Sequence, residues 1–458
     1  MFAVELTAHV DEVLHAFEQA GVVDPLEAIE QITSLLDDRA SGTSAFRGAK
    51  LRSEVVELLD SAPMSDRATQ ERVYEYLLGK LGAPGTSTAA PTPRHIVSLM
   101  VEMTAPTPTD TIIDPTVGTA GFLVAAGDYL RDHHPRIWLD TGLRDHFNNT
   151  AFTGVDTDAA LCSIARMNLR LHGVQNPEIL HRDSLGEEGG AGRYSLVVAN
   201  PPIGGTRDLA PAAKQLLSVV KTRKTDLLFV AHSLRLLSDG GRAAIIVPDA
   251  VLFGTTKAHK DLRRTLVDEH SLEAVVRLPA GVLRPGSHQS AATQSVSILL
   301  VRQGAVTRNV WFYDVRADGF TADEKRLPCE SSDLPDLLAR WQALSSRAAA
   351  SATGTAQAPG SVPAVSVLAV SVPFVSEAER ARTAQSFLVP REEIAEHDYD
   401  LTFNRYRVVP AEHVVHRSPN DILIDIARLE LQIQQASAAL ARSLSGQPEL
   451  MAQPGTWR

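Results

Sequence analysis

Two short segments carry residues whose types and order could do chemistry. In the first, Asn200-Pro201-Pro202-Ile203 closes the apolar run SLVVAN at 195–200, and Gly204-Gly205 follow. Two prolines directly after a strand cannot continue its hydrogen-bond ladder, so they stiffen a turn that presents the Asn200 amide at the strand's C-terminal edge. Two acceptors there, the Asn200 side-chain oxygen and the Pro201 carbonyl, could grip both N–H bonds of a planar amino group. Such a nitrogen is a poor nucleophile because its lone pair is delocalised; the grip favours a localised lone pair and hence alkylation. The second segment is DPTVGTAGF, Asp114 to Phe122, entered from TIID and followed by a helical stretch through Leu130. A glycine turn between strand and helix lets a ligand meet the backbone N–H groups of the helix start, with Gly118 and Gly121 the candidates. The next strand ends in GVDTD, placing Asp156 where a carboxylate can accept both hydroxyls of a ribose, and a third ends in HRDSL, placing Asp183 on the same rim. One strand-end aspartate could simply cap a helix. Two of them beside a glycine turn favour a nucleoside-shaped cofactor, and the G-x-x-G spacing with a distant Asp156 disfavours NAD.

Positioning these groups requires a sheet with its strand ends on one edge. TIID (111–114), AFTGVD (151–156), SLVVAN (195–200), AAIIVP (243–248) and LEAVVRL (272–278) alternate with helical stretches, which predicts an α/β domain with a mostly parallel sheet. Before it, residues 1 to about 82 read as helices, with Val10, Val13, Leu14, Phe17, Val73, Leu77 and Leu78 at helical spacing. The Gly/Pro/Thr/Ser-rich break from Leu81 to Pro93 ends that region, and a helix resumes at Arg94. After VWFYDV (310–315), the stretch from Ser345 to about Val375 reads as a linker or long surface loop. Beyond Pro419, Ile422, Ile426, Leu429, Ile433, Ala436 and Leu440 form a heptad seam, suited either to the chain's own N-terminal helices or to another subunit's helix.

The 458 residues are 44% apolar and 22% charged, enough for two or three domains, and the net charge of −11 argues against a freestanding electrostatic clamp for DNA. Local cations could compensate: Lys221, Arg223, Lys224, Lys257, Lys260, Arg263 and Arg264 are candidates for a phosphate patch, against the plainer reading of a solvated charge run. Cys162 and Cys329 are too few for a disulfide framework, and Asp132-His133-His134 lacks further ligands at a recognisable spacing, so no metal site is expected. The first residues show no basic and apolar leader, and no run of eighteen apolar residues occurs; the expectation is a cytoplasmic protein with no membrane contact.

In order along the chain, DPTVGTAGFL, GVDTDAALCSIARMNLRLHG, ANPPIGG, KTDLLF, GGRAAIIVPDAVLFG and LEAVVRLPAGVLRPG resemble the motifs of N6-adenine DNA methyltransferases, specifically the modification subunit of type I restriction-modification systems. YEYLLGKL, TPRHIV, VWFYDVRADGFTADEKR and YDLTFNRYR extend the similarity over roughly residues 70–410. The resemblance implies a Rossmann-like class I methyltransferase sheet with a helical N-terminal domain and a helical C-terminal tail. The corresponding boundaries are 1–88 for the helical domain, 89–325 for the methyltransferase domain, 326–410 for a linker and extension, and 411–458 for a docking tail. It implies S-adenosylmethionine held by Thr92, Asp114, Gly118, Thr119, Gly121, Asp156 and Asp183, and a flipped adenine held by Asn200, Pro201, Pro202 and Ile203. The implied partners are double-stranded DNA, a DNA-specificity subunit that reads the sequence, a second copy of this chain, and optionally a restriction subunit.

The chain departs from that pattern at Ile203, where the family usually has an aromatic residue to stack on the base, a contact typically worth about 1–3 kcal/mol. Ala120 stands where the family commonly has glycine, a change expected to be accommodated if its φ is negative. AAPTPR lacks the usual aromatics, and RPGSHQSAATQS is longer than usual. Two rivals follow: a catalytically weakened, methylase-like scaffold or DNA-binding regulator, and a methyltransferase acting on another planar nitrogen such as a glutamine amide.

Overall fold

The structure, a computed structural model, describes residues 2–22, 24–41, 49–61, 67–81, 91–186, 190–208, 216–283, 295–304, 306–323, 326–353, 376–409 and 419–445. The chain divides into two compact units, residues 1–407 and 408–458. In the first unit the strands are β1 (Ile112–Asp114), β2 (Phe152–Asp156), β3 (Glu178–His181), β4 (Tyr194–Ala199), β5 (Leu237–Pro248), β6 (Ser271–Arg277), β7 (Val296–Arg302), β8 (Asn309–Asp314), β9 (Asp318–Phe320), β10 (Pro328–Ser332) and β11 (Ser386–Pro390). Nine of them form one sheet in the order β11-β8-β6-β7-β5-β4-β1-β2-β3, and β9 and β10 make a separate hairpin.

The half that matters for chemistry, β5-β4-β1-β2-β3, is wholly parallel. Parallel strands buried on both faces are near-continuous apolar runs, and here successive residues feed opposite cores. Ile112, Leu196, Val198 and Ile246 pack on one face, while Ile113, Val197, Ala199 and Ile245 pack on the other. Register sets the rim: Asp114 lies opposite Gly154, and Asp156 opposite His181.

The sheet adds two strands that the sequence reading did not assign. β7, the run VSILLVR, is antiparallel to both β5 and β6 and sits between them. Its six consecutive buried residues are a strand signal that reading by strand–helix alternation passes over. The edge strand β11 comes from beyond residue 325 and pairs antiparallel with β8, so the segment after the expected methyltransferase boundary completes the sheet. Within the expected linker, residues 345–353 are the end of a helix, Leu334–Thr353, and the remainder to Val375 lies outside the described residues.

Four N-terminal helices, α1 (Phe2–Gln19), α2 (Pro25–Ser41), α3 (Ala49–Ser61) and α4 (Arg67–Lys80), share a core of Val13, Phe17, Ile29, Ile32, Val55, Val73 and Leu77. That core also takes Ile164 and Met167 from the helix that follows β2, so the helical region braces the element behind Asp156. The buried Tyr74 hydroxyl donates to the Ile164 carbonyl at 3.3 Å and lies 2.7 Å from Thr33 Oγ1. In the second unit the helix Pro419–Ser445 carries Ile426, Leu429, Ile433 and Leu440 of the seam exposed. Among the described residues no helix is long and apolar enough to cross a membrane.

Gly154 shows how tightly β2 meets the turn after β1: a methyl group there would stand 2.6 Å from Val117 Cγ2 and 2.8 Å from Ile179 Cδ1. Overpacking of this kind costs about 1–3 kcal/mol, so Gly154→Ala is expected to lower the unfolding free energy by that amount, read as a lower urea midpoint with an unchanged denaturant slope.

Candidate active site

The turn between β1 and the helix Gly121–His133 is built by hydrogen bonds to its backbone carbonyls and to that of Val155. Val117 N–H donates to Val155 O at 2.9 Å, Ala120 N–H to Val117 O at 2.7 Å, and Asn168 Nδ2 to Thr119 O at 2.8 Å. Gly118 adopts φ +49°, a left-handed conformation that glycine takes without steric cost. Ala120 adopts φ +65°, not the negative value that would have excused its methyl group. An L-residue there pays about 1–2 kcal/mol. The methyl is fully buried, which offsets about 0.8 kcal/mol of that strain.

Gly121 is informative for a different reason. Its φ is ordinary, and a methyl group built on it would meet nothing within 4 Å. Neither conformation nor internal packing therefore demands glycine at this helix start. Open space above Gly118 and Gly121 is what close approach of a ligand to backbone N–H groups needs. The residues fit the nucleoside-bearing methyl donor that the motifs imply.

Asp156 is not the cap of the helix after β2. Asp158 fills that role, its Oδ1 accepting from Ala160 and Leu161 N–H at 2.8 and 3.2 Å. Asp156 is thereby left to face the glycine turn, where its Oδ2 accepts from Gly118 N–H at 3.0 Å. Asp183 is drawn to the same rim because Ser184 Oγ donates to Pro115 O at 2.5 Å. Its Oδ1 accepts from Leu185 N–H at 3.0 Å and its Oδ2 pairs with Arg207 at 2.5 Å. Asp114 lies beneath the turn, almost wholly buried, with Oδ1 accepting from Thr116 N–H at 2.9 Å. Burial pushes its carboxyl up to about 7, Thr116 opposes the shift, and the charge of Asp156 adds to it.

Asn200 stands half-buried at the end of β4, and its Nδ2 donates to Thr92 Oγ1 at 2.8 Å. Pro201 is buried, Pro202 is exposed, and Ile203 is half-buried against the core face that contains Ile112 and Leu196. The turn ends in a second tie, from Gly204 N–H to Asp226 Oδ1 at 2.6 Å. Asp226 and Arg207 are contacts that motif reading did not assign: KTDLLF flags the region of Asp226, whereas nothing local marks Arg207. Part of the candidate cationic patch is engaged within the chain. Arg263 is buried and donates to the carbonyls of Tyr399, Val251 and Gly254, Lys257 pairs with Asp261, and Lys260 pairs with Asp398. Among the described residues no group of three His, Cys, Asp or Glu could hold a metal ion. Ala89, Ala90 and most of RPGSHQSAATQS lie outside the described residues.

Residues 66–413 match the family described as N-6 DNA Methylase. The chain belongs to this family. Among relatives of this chain, the methylase subunit of the type I restriction enzyme EcoEI from Escherichia coli is 31% identical over 278 residues, covering 59% of this chain and 54% of the relative. The EcoKI methylase subunit from the same species is 31% identical over 264 residues, covering 54% and 48%. The chain thus spans about half the length of these curated relatives. In fold, it superimposes on a type I restriction-modification methyltransferase subunit from Streptococcus thermophilus with a TM-score of 0.58, covering 88% of this chain and 80% of that one at 20% identity. A chain from a structure of type I restriction-modification complex assembly gives 0.65, covering 96% and 99% at 20% identity.

Gly121→Ala is expected to leave thermal stability unchanged or raised, since alanine is the better helix former by about 1 kcal/mol, while weakening S-adenosylmethionine binding at least about tenfold in calorimetry. Asp114 gives a pH signature. Between its unfolded pKa of about 3.9 and its folded value of about 7, the native state binds more protons than the unfolded one, so stability falls as pH rises through that window. In melts from pH 4 to 8, the wild type should lose ground against Asp114→Asn, whose amide cannot ionise, until about pH 7 and then hold level.

Proposed function

We propose that this chain transfers a methyl group from S-adenosylmethionine to N6 of adenine in double-stranded DNA, as the modification subunit of a type I restriction-modification assembly. The observation that carries the reading is the orientation of Asn200: with Nδ2 occupied by Thr92 Oγ1, its Oδ1 is the end left to accept from a substrate N–H. S-adenosylmethionine, when bound, supplies an electrophilic methyl group on sulfonium.

The chain's own residues act on the nucleophile. Asn200 Oδ1 and the Pro201 carbonyl accept from the two N–H bonds of the amino group, drawing the nitrogen out of conjugation as the new N–C bond forms and the S–C bond breaks. The same acceptors favour the positive charge that develops on nitrogen before it gives up a proton to solvent water. Gly121 brings a backbone N–H group to the cofactor, Gly118 leaves room beside it, Asp156 and Asp183 accept from its hydroxyl and amino groups, and Thr119 and Asp114 shape the turn. Ile203 offers the base an apolar but non-aromatic wall, which supports a weaker hold on the base than an aromatic ring would give.

The target amino group is inaccessible within stacked DNA, so the base must be flipped out. Partners would supply sequence reading: a DNA-specificity subunit, a second copy of this chain, and optionally a restriction subunit. The acidic chain, with Lys257, Lys260 and Arg263 of the candidate phosphate patch engaged within the chain, favours such delegation. Work in the cytoplasm fits this reading.

Incubating the chain, co-purified with its specificity subunit, with tritiated S-adenosylmethionine and unmethylated genomic DNA should label the DNA. Asn200→Ala should reduce that labelling by about 10²–10³-fold, as expected for losing one acceptor aimed at the reacting centre. Equal labelling by wild type and variant would contradict the proposal.

A further inference from the structure

We propose that Thr92 is a positioning residue: it tethers the Asn200 amide with the oxygen end left for the substrate, and it acts through Asn200 instead of through the cofactor. This rests on the methyl-transfer reading and reassigns a residue that the motif resemblance gives to S-adenosylmethionine.

The two ends of a primary amide differ: one donates and the other accepts. A target amino group presents two N–H donors, so only the oxygen end of Asn200 is useful to it. The nitrogen end would set donor against donor. The two orientations differ by a half-turn of the terminal torsion, which is soft and nearly two-fold, so an untethered asparagine samples both. Thr92 Oγ1, accepting from Asn200 Nδ2 at 2.8 Å across 108 positions of sequence, restrains that torsion and holds the amide with its nitrogen end toward Thr92 and its oxygen end left for the substrate. A valine of the same shape gives no such tether.

A tethering hydroxyl must itself stand still. Thr92 lies between Pro91 and Pro93, which restrict the backbone on both sides, and Pro93 O accepts from Ile96 and Val97 N–H at 3.0 Å to start the helix Arg94–Thr104. One residue into that helix, His95 Nε2 is 3.0 Å from Asp318 Oδ2 of β9. The Asp318 carboxylate is almost wholly buried and also pairs with Arg326. The ring of Phe320 lies 4.6 Å from that of His95, centroid to centroid. At the far end, Trp341 Nε1 donates to Met103 O at 2.7 Å and Arg242 Nε to Thr104 O at 2.6 Å. The helix is held at both ends, and the β9–β10 hairpin thereby acquires a purpose: it clamps the support of the hydroxyl. Asp226, at the opposite end of the Asn200–Gly205 turn, completes the restraint.

The test compares Thr92→Val, which removes the oxygen and keeps the shape, with Thr92→Ser, which keeps the oxygen, each in the complex with the specificity subunit. Methylation of unmethylated genomic DNA at saturating tritiated S-adenosylmethionine and calorimetric binding of that cofactor are both measured. The proposal predicts that Thr92→Val lowers kcat about tenfold, the scale of one neutral hydrogen bond, with cofactor Kd within about twofold of wild type, and that Thr92→Ser recovers most of the rate. A weakened cofactor Kd with kcat retained at saturation would make Thr92 a cofactor contact and overturn the proposal; so would an unchanged kcat. A wild-type complex that binds the cofactor but labels no DNA contradicts the methyl-transfer reading itself, and the role assigned to Thr92 falls with it.

Discussion

Parallel pairing of β4, β1, β2 and β3 is the constraint on which the site depends. Strands running the same way deliver every C-terminus to one edge, so residues far apart in sequence are gathered without a dedicated loop to carry them. Register then fixes the details: Asp114 opposite Gly154 and Asp156 opposite His181 set the two acids at successive heights along the rim, and Asn200 follows at the end of β4. The antiparallel β7 lies on the other side of β5, so the change of strand direction does not interrupt this edge.

Upon that rim, short polar ties do what the sheet alone cannot. Gly118 N–H on Asp156 closes the glycine turn, Ser184 on Pro115 draws in Asp183, and Thr92 and Asp226 hold the two ends of the Asn200 turn. Each is a single hydrogen bond of modest net strength. Their value is directional, because each decides where one acceptor points. The ion pair between Arg207 and Asp183 joins the segment after the Asn200 turn to the rim of the glycine turn, so the two halves of the site share a boundary.

Much of this was legible in the sequence because the informative residues sit at strand ends, where apolar runs stop at Asp114, Asp156 and Asn200. Period and punctuation find such places without knowledge of the fold. The ties were not legible, since Thr92 and Asn200, or Asp183 and Arg207, meet only after the sheet has formed. Sign and size of local cations misled in the same way: Arg263 reads as a surface charge in KAHKDLRR, yet three backbone carbonyls surround it. Ala120 marks a different limit. Composition shows the departure from glycine, but only the backbone shows that the chain tolerates a left-handed alanine instead of reshaping the turn.

The central claim is that this rim alkylates the exocyclic nitrogen of adenine. Its most direct measurement supplies S-adenosylmethionine with a trideuterated methyl group to the assembled complex and unmethylated DNA, then digests the DNA to nucleosides for mass spectrometry. The account predicts a three-deuterium methyl group on N6 of deoxyadenosine. Label on cytosine, or on a protein amide with none on DNA, would contradict it.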